Sequence, residues 1–400
     1  MKYCTFHSIN NGRILIIKMK LLFVIVLFSF FFNSCQKEIK PKCKDCLILH
    51  ATLDGEEAIP LGKLFNRIEL IPLETTDSSL ISHIGKMEYD QLNGKFYVFD
   101  SPQTILFIFD DKGNYLNRIA KRGQGPGEYI LIYDFTINSG KKQIEMLSPY
   151  KFIYCYTFEG DFIKMIDLTY LDAGSIQRMQ ILDDKHYAVW SPPEDGHDGI
   201  NIISQETGEM VNSFWQDLFF INTWGSNVFY NYNNAIYFSL LLRNTVYKVT
   251  KDGVIADYEW FFGNKTTNID LHKISTGMYN YNKDIETLKE KLESNAIKYE
   301  CMRNFQNKSY YYVQLRFKNK DWKHLFYDKK TNETIFFQRP AEDILFLPIH
   351  YFSDEFIIGT LRYNDKDKLL NCELLDESNK QKLLSYKEDD NPYLIKYFFR

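Results

Sequence analysis

The stretch FYVFDSPQTILFIFDDKGNYLNRI, residues 96–119, contains three short runs rich in aromatic and β-branched residues. The runs are Phe96–Asp100, Ile105–Phe109 and Tyr115–Ile119, and the turn Asp110-Asp-Lys-Gly113 separates the last two. Short runs of this composition, bounded by turn residues, are typical of β-strands. The stretch therefore predicts consecutive strands with a hairpin at Gly113.

This pattern recurs along the chain. Hairpin glycines at positions 113, 160, 208 and 253 are 47, 48 and 45 residues apart. A fifth unit turns at Asn332, 79 residues after Gly253, so about 30 residues are inserted relative to the usual repeat. A repeat of about 45 residues with four strands is the spacing of β-propeller blades, which bury their faces against one another by radial stacking. An all-β sandwich with chance spacing is the alternative.

Counting the units predicts an all-β, six-bladed β-propeller over residues 64–400. The last blade is one strand short, because the chain supplies a hairpin at Phe352–Leu361 and one further strand at Tyr393–Phe399. The spare strand Ile68–Pro72 precedes the first full unit. We expect it to pair with the C-terminal strand and close the ring, since closure removes exposed sheet edges.

Two stretches interrupt the β pattern. Asn282–Tyr299 and Lys366–Tyr386 place apolar residues at helical spacing among charged ones. This pattern predicts two amphipathic helices inserted in loops of the propeller.

The N-terminal 34 residues have the pattern of a secretory signal. Lys18 and Lys20 precede the apolar run Leu21–Phe32, which is too short to span a bilayer. Translation is expected to start at Met19, because residues 1–18 add nothing that such a signal needs. Residues 35–63 are polar at their start and are interpreted as a tether.

The end of the apolar run, Phe32-Asn33-Ser34-Cys35, resembles the lipobox of bacterial lipoproteins. That resemblance implies that Cys35 becomes the lipidated N-terminus and anchors the protein to a membrane. An ordinary signal peptide with a chance cysteine is the alternative.

Composition and charge narrow the function classes. The chain has 65 Phe, Tyr and Trp residues among 400, which favours a β architecture. It carries 48 basic and 52 acidic residues, and removal of residues 1–34 leaves a net charge of −8. A mildly acidic chain without basic runs is not expected to bind nucleic acid.

Four segments together resemble the six-bladed β-propeller lipoproteins of Bacteroides-type bacteria, relatives of the NHL-repeat propellers. They are the Cys35 lipobox, residues 68–77 (IELIPLETTD), residues 122–129 (RGQGPGEY) and residues 388–395 (EDDNPYLI). The resemblance covers nearly the whole mature chain. It implies the fold and an envelope location but little chemistry.

The glycine-rich segment at 122–129 is the first candidate site. It is not a phosphate-binding loop, because neither the strand–loop–helix pattern nor a terminal Lys-Ser/Thr follows. Two interpretations stay open: a structural connection between blades, or a ligand-binding rim. In the second case the ligand contacts would come from Arg122, Gln124, Glu128 and Tyr129.

Candidate metal ligands are few. Asp195, His197 and Asp198 lie close together in a turn that is rich in Asp and Gly. Such a turn either holds a metal or is simply a turn, the commoner meaning. The Cys43–Cys46 pair has no second pair to complete a zinc site, and is expected to form a local disulfide or to remain as two thiols. No cofactor is predicted.

Two function hypotheses follow. The first is a non-catalytic binding or scaffold module of the cell envelope, with a protein or glycan ligand. The second is a hydrolase or lyase with a metal or acid–base site in the central channel. Acids and histidines converging from three blades would favour the enzyme, whereas aromatic or neutral polar walls would favour binding.

The residues after Cys35 predict the membrane face. Gln36 stands where an inner-membrane retention signal would have Asp, and Glu38 is isolated between Lys37 and Lys40 rather than part of an acidic run. We expect an outer-membrane anchor, with the propeller facing the periplasm rather than the exterior.

Overall fold

The computed structural model describes residues 39–191, 198–214, 228–267, 281–344, 346 and 348–400. Residues Pro41–Arg400 form one compact unit. Within it, six small sheets, each built on four antiparallel strands, are arranged as the blades of a β-propeller, which confirms the predicted fold.

Blades I to III each have four strands in chain order. Blade I contains β4 (Ile84–Asp90), β5 (Lys95–Asp100), β6 (Ile105–Asp110) and β7 (Tyr115–Ile119). Blade II contains β8 (Asp134–Asn138), β9 (Gln143–Ser148), β10 (Phe152–Thr157) and β11 (Phe162–Asp167). Blade III contains β12 (Arg178–Ile181), β13 (His186–Trp190), β14 (Ile200–Ser204) and β15 (Met210–Phe214).

Blades IV to VI also recruit strands from the N-terminal part of the chain. Blade IV contains β16 (Phe229–Tyr232), β17 (Ala235–Phe238), β18 (Thr245–Thr250), β19 (Gly253–Phe261) and β1 (Leu47–His50). Blade V contains β20 (Glu300–Gln306), β21 (Tyr310–Phe317), β22 (Asp321–Asp328), β23 (Thr334–Pro340) and β2 (Glu56–Ile59). Blade VI contains β24 (Ile349–Phe352), β25 (Phe356–Leu361), β26 (Tyr393–Phe399) and β3 (Phe65–Pro72).

The core lies between neighbouring blades rather than inside any one of them. Apolar side chains of one blade pack against those of the next, as Tyr97 of blade I and Tyr156 of blade II do. The first strand of each blade lies innermost, and consecutive first strands contact one another around the axis. Their side chains are therefore the ones that face the central channel.

The outer hairpins turn where the repeat predicts them. Gly113, Gly160 and Gly208 have φ values of 89°, 87° and 79°, and Asn332 has a φ of 60°. This left-handed conformation favours glycine and asparagine, which explains the residue types found at these turns.

The ring closes as predicted. β26 pairs with β3 in antiparallel register, so that Tyr393 lies opposite Pro72 and Tyr397 opposite Ile68. The N- and C-terminal parts of the propeller therefore share one sheet, and blade VI is complete with four strands.

The predicted tether boundary at residue 63 requires a correction. β1 pairs in parallel with β19, and β2 pairs in parallel with β23, so each adds a fifth strand to a blade. Leu49 and Ile59 are buried in the process. Short strands at sheet edges carry weak sequence patterns, because one side of the strand has no partner.

The inserted helices differ in part from the prediction. α1 (Tyr281–Glu293) lies within the first predicted stretch. The second stretch forms two short helices, α2 (Lys366–Leu369) and α3 (Glu377–Ser385), instead of one. Asp376 starts α3 as its N-cap, since its carboxylate accepts a hydrogen bond from the Asn379 amide at 2.8 Å. No helix in the described ranges is long and apolar enough to cross a membrane.

This second insertion protects the edge of β3. The Ile68 amide donates to the Leu374 carbonyl at 3.0 Å, and the Leu70 amide donates to Asn379 Oδ1 at 2.8 Å. Lys382 Nζ donates to the Leu70 carbonyl at 2.7 Å. These bonds occupy backbone groups that would otherwise present an open sheet edge.

Candidate functional site

One mouth of the central channel opens into a cavity of about 560 Å³. Its walls come from blades I, II, III, V and VI, mainly from the starts of the innermost strands and the segments that lead into them. A volume of this size is in the range of small-ligand sites. We call this feature the basic mouth, for the side chains Lys86, Arg178 and Arg303 that line it.

Each cation of the basic mouth comes from a different blade. Lys86 lies on β4, Arg178 on β12 and Arg303 on β20, all of them innermost strands. Arg303 donates from Nη1 to the Ile349 carbonyl at 2.6 Å, and Arg178 donates from Nη1 to the Gln177 carbonyl at 2.7 Å. These backbone contacts orient both guanidinium groups. Burial lowers the pKa of Arg303, but an arginine with an ordinary pKa above 12 remains charged at neutral pH.

The protonation of His350 is affected by its burial and by the positive charge of the site. Burial, followed by the nearby Arg303 and His83 side chains, lowers its pKa to about 3. One ring nitrogen, Nε2, lies 2.8 Å from Thr360 Oγ1. The imidazole is therefore neutral at physiological pH, and the charge of this wall comes from the arginines.

A buried charge network forms part of the wall of the basic mouth, since Lys86 and Asp134 both line the cavity. Lys86 Nζ lies 2.8 Å from Asp134 Oδ1 and 3.0 Å from Glu88 Oε1, and donates to the Phe135 carbonyl at 2.6 Å. The second Asp134 oxygen accepts from the Met179 amide at 2.8 Å. Burial alone would lower the pKa of Lys86, but the two carboxylates raise it. Burial raises the pKa of Glu88 despite the attraction of Lys86.

The charged groups of this cavity fall into two sets. Asp134 and Glu88 are both bonded to Lys86, whereas Arg178 and Arg303 donate to backbone carbonyls of the wall. Among the residues that the structure describes, the channel holds no group of three His, Cys, Asp or Glu side chains within metal-ligand distance. The walls are therefore neither rich in acids and histidines, which would favour an enzyme, nor aromatic and neutral, which would favour the first hypothesis.

The glycine-rich segment at 122–129 is a connection between β7 and β8. Tyr129 is completely buried, and its hydroxyl lies 3.0 Å from the Thr104 carbonyl and 3.1 Å from the Ile119 carbonyl. The expectation of Tyr129 as a rim residue is therefore corrected, because its ring and hydroxyl serve the core between blades I and II.

The other three predicted rim residues are exposed. Arg122, Gln124 and Glu128 lie on the surface, outside the walls of the basic mouth. Glu128 folds back onto the loop, where its Oε2 accepts from the Gly125 amide at 2.8 Å. A Cβ at Gly123 would meet this carboxylate, which lies at the end of a flexible, exposed side chain.

Of the three predicted metal candidates, the structure describes Asp198. Asp195 and His197 lie outside the described residues. Asp198 is hydrogen-bonded to the Ser213 hydroxyl, and its carbonyl accepts from Asn201 Nδ2 at 3.3 Å. Asp198 thus has a role within blade III.

The cysteines within the described residues divide into two groups. Cys43 and Cys46 form a disulfide, one of the two states left open from the sequence. This short loop docks on Glu259, whose Oε2 accepts from the Cys43 amide at 2.6 Å and whose Oε1 accepts from the Lys42 amide at 3.0 Å. Cys155, Cys301 and Cys372 are free and buried.

Sequence reasoning missed the residues of the basic mouth, although a weak signal existed. Lys86, Asp134 and Arg178 are 48 and 44 residues apart, the same spacing as the blade repeat. Polar residues recurring in the first strand of successive blades mark positions that face the channel. Arg303 could not be found this way, because the insertion between blades IV and V displaces the register.

Comparisons with known proteins agree with this architecture. The crystal structure of a "putative exported protein" from Bacteroides fragilis superposes with a TM-score of 0.68 at 19% identity, covering 88% of this chain and 99% of that one. A member of the DUF4221 family from Bacteroides vulgatus gives a TM-score of 0.51 at 12% identity, covering 84% and 98%. A search of curated proteins finds no match.

Residues 49–398 match the family described as "Domain of unknown function (DUF4934)". This match begins within β1 and ends within β26, so it contains all six blades. The chain therefore belongs to the DUF4934 family.

Proposed function

We propose that this protein is a lipid-anchored, non-catalytic binding module of the cell envelope that holds an acidic saccharide at the basic mouth. The observation that carries the proposal is the convergence of the Arg178 and Arg303 guanidinium groups, from two blades, on one concave cavity. Carboxylate and sulfate groups match the planar fork of an arginine, which binds them through paired hydrogen bonds.

The shape of the site favours a saccharide over a protein surface. A cavity of about 560 Å³ accommodates one or two sugar rings, whereas protein interfaces are broad and comparatively flat. Tyr133 and Gln177 add polar groups to the same walls. A ring with one acidic substituent would use both the charged and the polar parts of this lining.

The alternative is an acid–base or metal enzyme in the channel, and the contacts of the acids weigh against it. A general acid or base needs a proton to exchange with substrate. Both carboxylates near the basic mouth are bonded to Lys86, and Asp134 is nearly inaccessible.

The proposed anchor is the lipidated Cys35 in the outer membrane, and the compact unit that contains the blades starts at Pro41. We expect this unit to lie on the periplasmic side of that membrane.

Binding to a glycan array tests the ligand. The probes are uronate- and sulfate-bearing saccharides, their neutral counterparts and a set of acidic peptides. We expect the chain from Pro41 to Arg400 to bind acidic saccharides in preference to neutral ones, and added salt to weaken that binding. Preference for the acidic peptides, or no preference for acidic probes, would overturn the proposal.

A variant tests whether the acidic saccharide binds at the basic mouth. Arg178→Met should weaken binding of the selected acidic saccharide by about 1.5–3 kcal/mol, roughly 10- to 100-fold in Kd. Arg339→Met, which removes an exposed arginine on β23, is the matched control and should leave Kd unchanged. Equal effects of the two variants would show that the arginine effect is nonspecific.

Two cell experiments test the anchor and its face. Cys35→Ala should move the protein from the membrane fraction to the soluble fraction and abolish incorporation of labelled palmitate. Protease treatment of intact cells should leave the propeller uncut, and loss of the propeller without lysis would reverse the predicted orientation.

A further inference from the structure

The opposite mouth of the channel has its own cavity, of about 710 Å³. Its walls are formed by the inner hairpins of blades II, III and IV, together with Glu88 at the end of β4. We call this feature the amide mouth, because the side chains of Asn138, Gln180, Asn231, Asn233 and Asn234 line it. It uses different strand ends from the basic mouth.

The amide mouth differs from the basic mouth in charge as well as position. Lys141 is the cation in its lining, whereas the basic mouth has three. The amides of Asn231, Asn233 and Asn234 are exposed at the end of one hairpin. An amide both donates and accepts hydrogen bonds, as a sugar hydroxyl does.

A buried hydroxyl in the wall of the amide mouth lacks a hydrogen-bond partner. Thr136 lines the cavity and is 1% exposed, yet its Oγ1 has no hydrogen-bond partner. Thr136 shares one face of β8 with Asp134 and Asn138, which contact blade III through Met179 and Gln205. Buried polar groups are nearly always satisfied, so an unpaired hydroxyl on a cavity wall is a ready position for a ligand group.

Two of the three acids in this lining, Asp183 and Glu88, are already bonded and the third, Asp184, is exposed to solvent, which argues against a cation as the ligand. Asp183 accepts from the amides of Lys185 and His186 and from His186 Nδ1, at 2.8, 2.9 and 2.9 Å. Hydrogen bonds of this kind lower the pKa of Asp183 against the effect of its burial. Glu88 is paired with Lys86.

We propose that the amide mouth is a second binding site, for an uncharged, hydroxyl-rich saccharide. Sugar hydroxyls would meet the amides at the rim, and one of them would pair with Thr136 Oγ1 inside. The inference goes beyond the proposed function, because it concerns the other end of the channel and a neutral ligand.

The test uses two variants and a panel of neutral gluco-, manno-, galacto- and xylo-oligosaccharides, measured by calorimetry. Thr136→Val keeps the side-chain shape and removes the hydroxyl, and Asn231→Ala removes one rim amide. Each should raise the Kd of the bound oligosaccharide about three- to tenfold. Asn212→Ala, on the outer strand of blade III, is the matched control and should not change Kd.

Two further measurements separate this proposal from folding effects and from the basic mouth. Thr136→Val should keep the wild-type unfolding temperature or raise it, since valine replaces an unpaired hydroxyl. Arg178→Met should leave neutral saccharide binding unchanged. Absence of binding to every member of the panel, or an unchanged Kd in Thr136→Val, would overturn the proposal whatever the result at the basic mouth.

Discussion

Replacing Lys86 with methionine should destabilise the propeller more than the loss of any surface charge. The change removes the ammonium group between Asp134 and Glu88 while keeping most of the apolar stem. Asp134 has a side-chain exposure of 3% and Glu88 of 22%, so both carboxylates would stay in a poorly solvated channel without their cation.

The expected magnitude follows from the burial of the group. Removing one partner of a buried ion pair destabilises by about 3–5 kcal/mol. Lys86 itself retains 20% exposure, so we take the lower end, about 3 kcal/mol. For a folded unit of about 360 residues, an unfolding entropy near 2.1 cal/mol/K per residue converts this to a fall in Tm of about 4 °C.

The loss of stability caused by Lys86→Met should also depend on pH. The pKa of Glu88 is already raised by burial, and removal of Lys86 takes away the interactions that lower it, so it should rise further. A carboxyl whose pKa is raised by folding stabilises at low pH, and that contribution is lost as pH rises through the folded-state pKa. The destabilisation should therefore be larger at pH 8 than at pH 5.

Thermal unfolding followed by circular dichroism at both pH values measures the effect. Lys63→Met is the matched control, because Lys63 forms an exposed pair with Glu56 and should contribute about 0–1 kcal/mol. Adding Glu88→Gln to Lys86→Met should recover part of the loss. Equal effects of Lys86→Met and Lys63→Met, or a larger loss at pH 5, would refute the reasoning.

Three more perturbations test the fold. Tyr129→Phe should lower the free energy of unfolding by about 1–2 kcal/mol without affecting saccharide binding, because the hydroxyl serves two buried carbonyls; unchanged chemical denaturation would contradict this role. Asn379→Ala should destabilise by about 1–3 kcal/mol, since it leaves a buried amide of β3 unpaired, whereas Lys380→Ala on the exposed side of α3 should have little effect in the same assay. A chain that starts at Leu64 should aggregate or unfold at a lower temperature than one that starts at Pro41, because it lacks β1 and β2 and exposes the edges of two blades. Equal unfolding midpoints in differential scanning fluorimetry would instead support a tether that extends to residue 63.

Much of the fold could be predicted because it depends on local pattern. Two local features repeat about every 45 residues: a glycine or asparagine at the outer hairpin turn, and strands of alternating or aromatic composition. Neither feature depends on contacts between distant parts of the chain. Ring closure was also predictable, because Ile68–Pro72 was a strand without a partner and Tyr393–Phe399 belonged to a blade one strand short.

Other features could not be predicted from the sequence, because they depend on contacts between distant parts of the chain. β1 and β2 are four-residue strands that pair in parallel with partners more than 200 residues away, so no local turn announces them. The division of the second insertion into α2 and α3 follows from its contacts with β3, to which Leu374 and Asn379 bond. The burial of Tyr129 depends on packing between blades I and II, which the glycine-rich pattern of residues 122–129 does not contain.

The sequence by itself determined the number of blades, the place of the outer turns and the strand that closes the ring, since strand propensity and left-handed turns act over a few residues. Only the tertiary structure decided which polar side chains meet. Lys86, Arg178 and Arg303 share one cavity because radial packing brings the first strand of every blade to a common axis, and no local pattern contains that distance. The same packing buries the unpaired Thr136 hydroxyl at the other end of the channel.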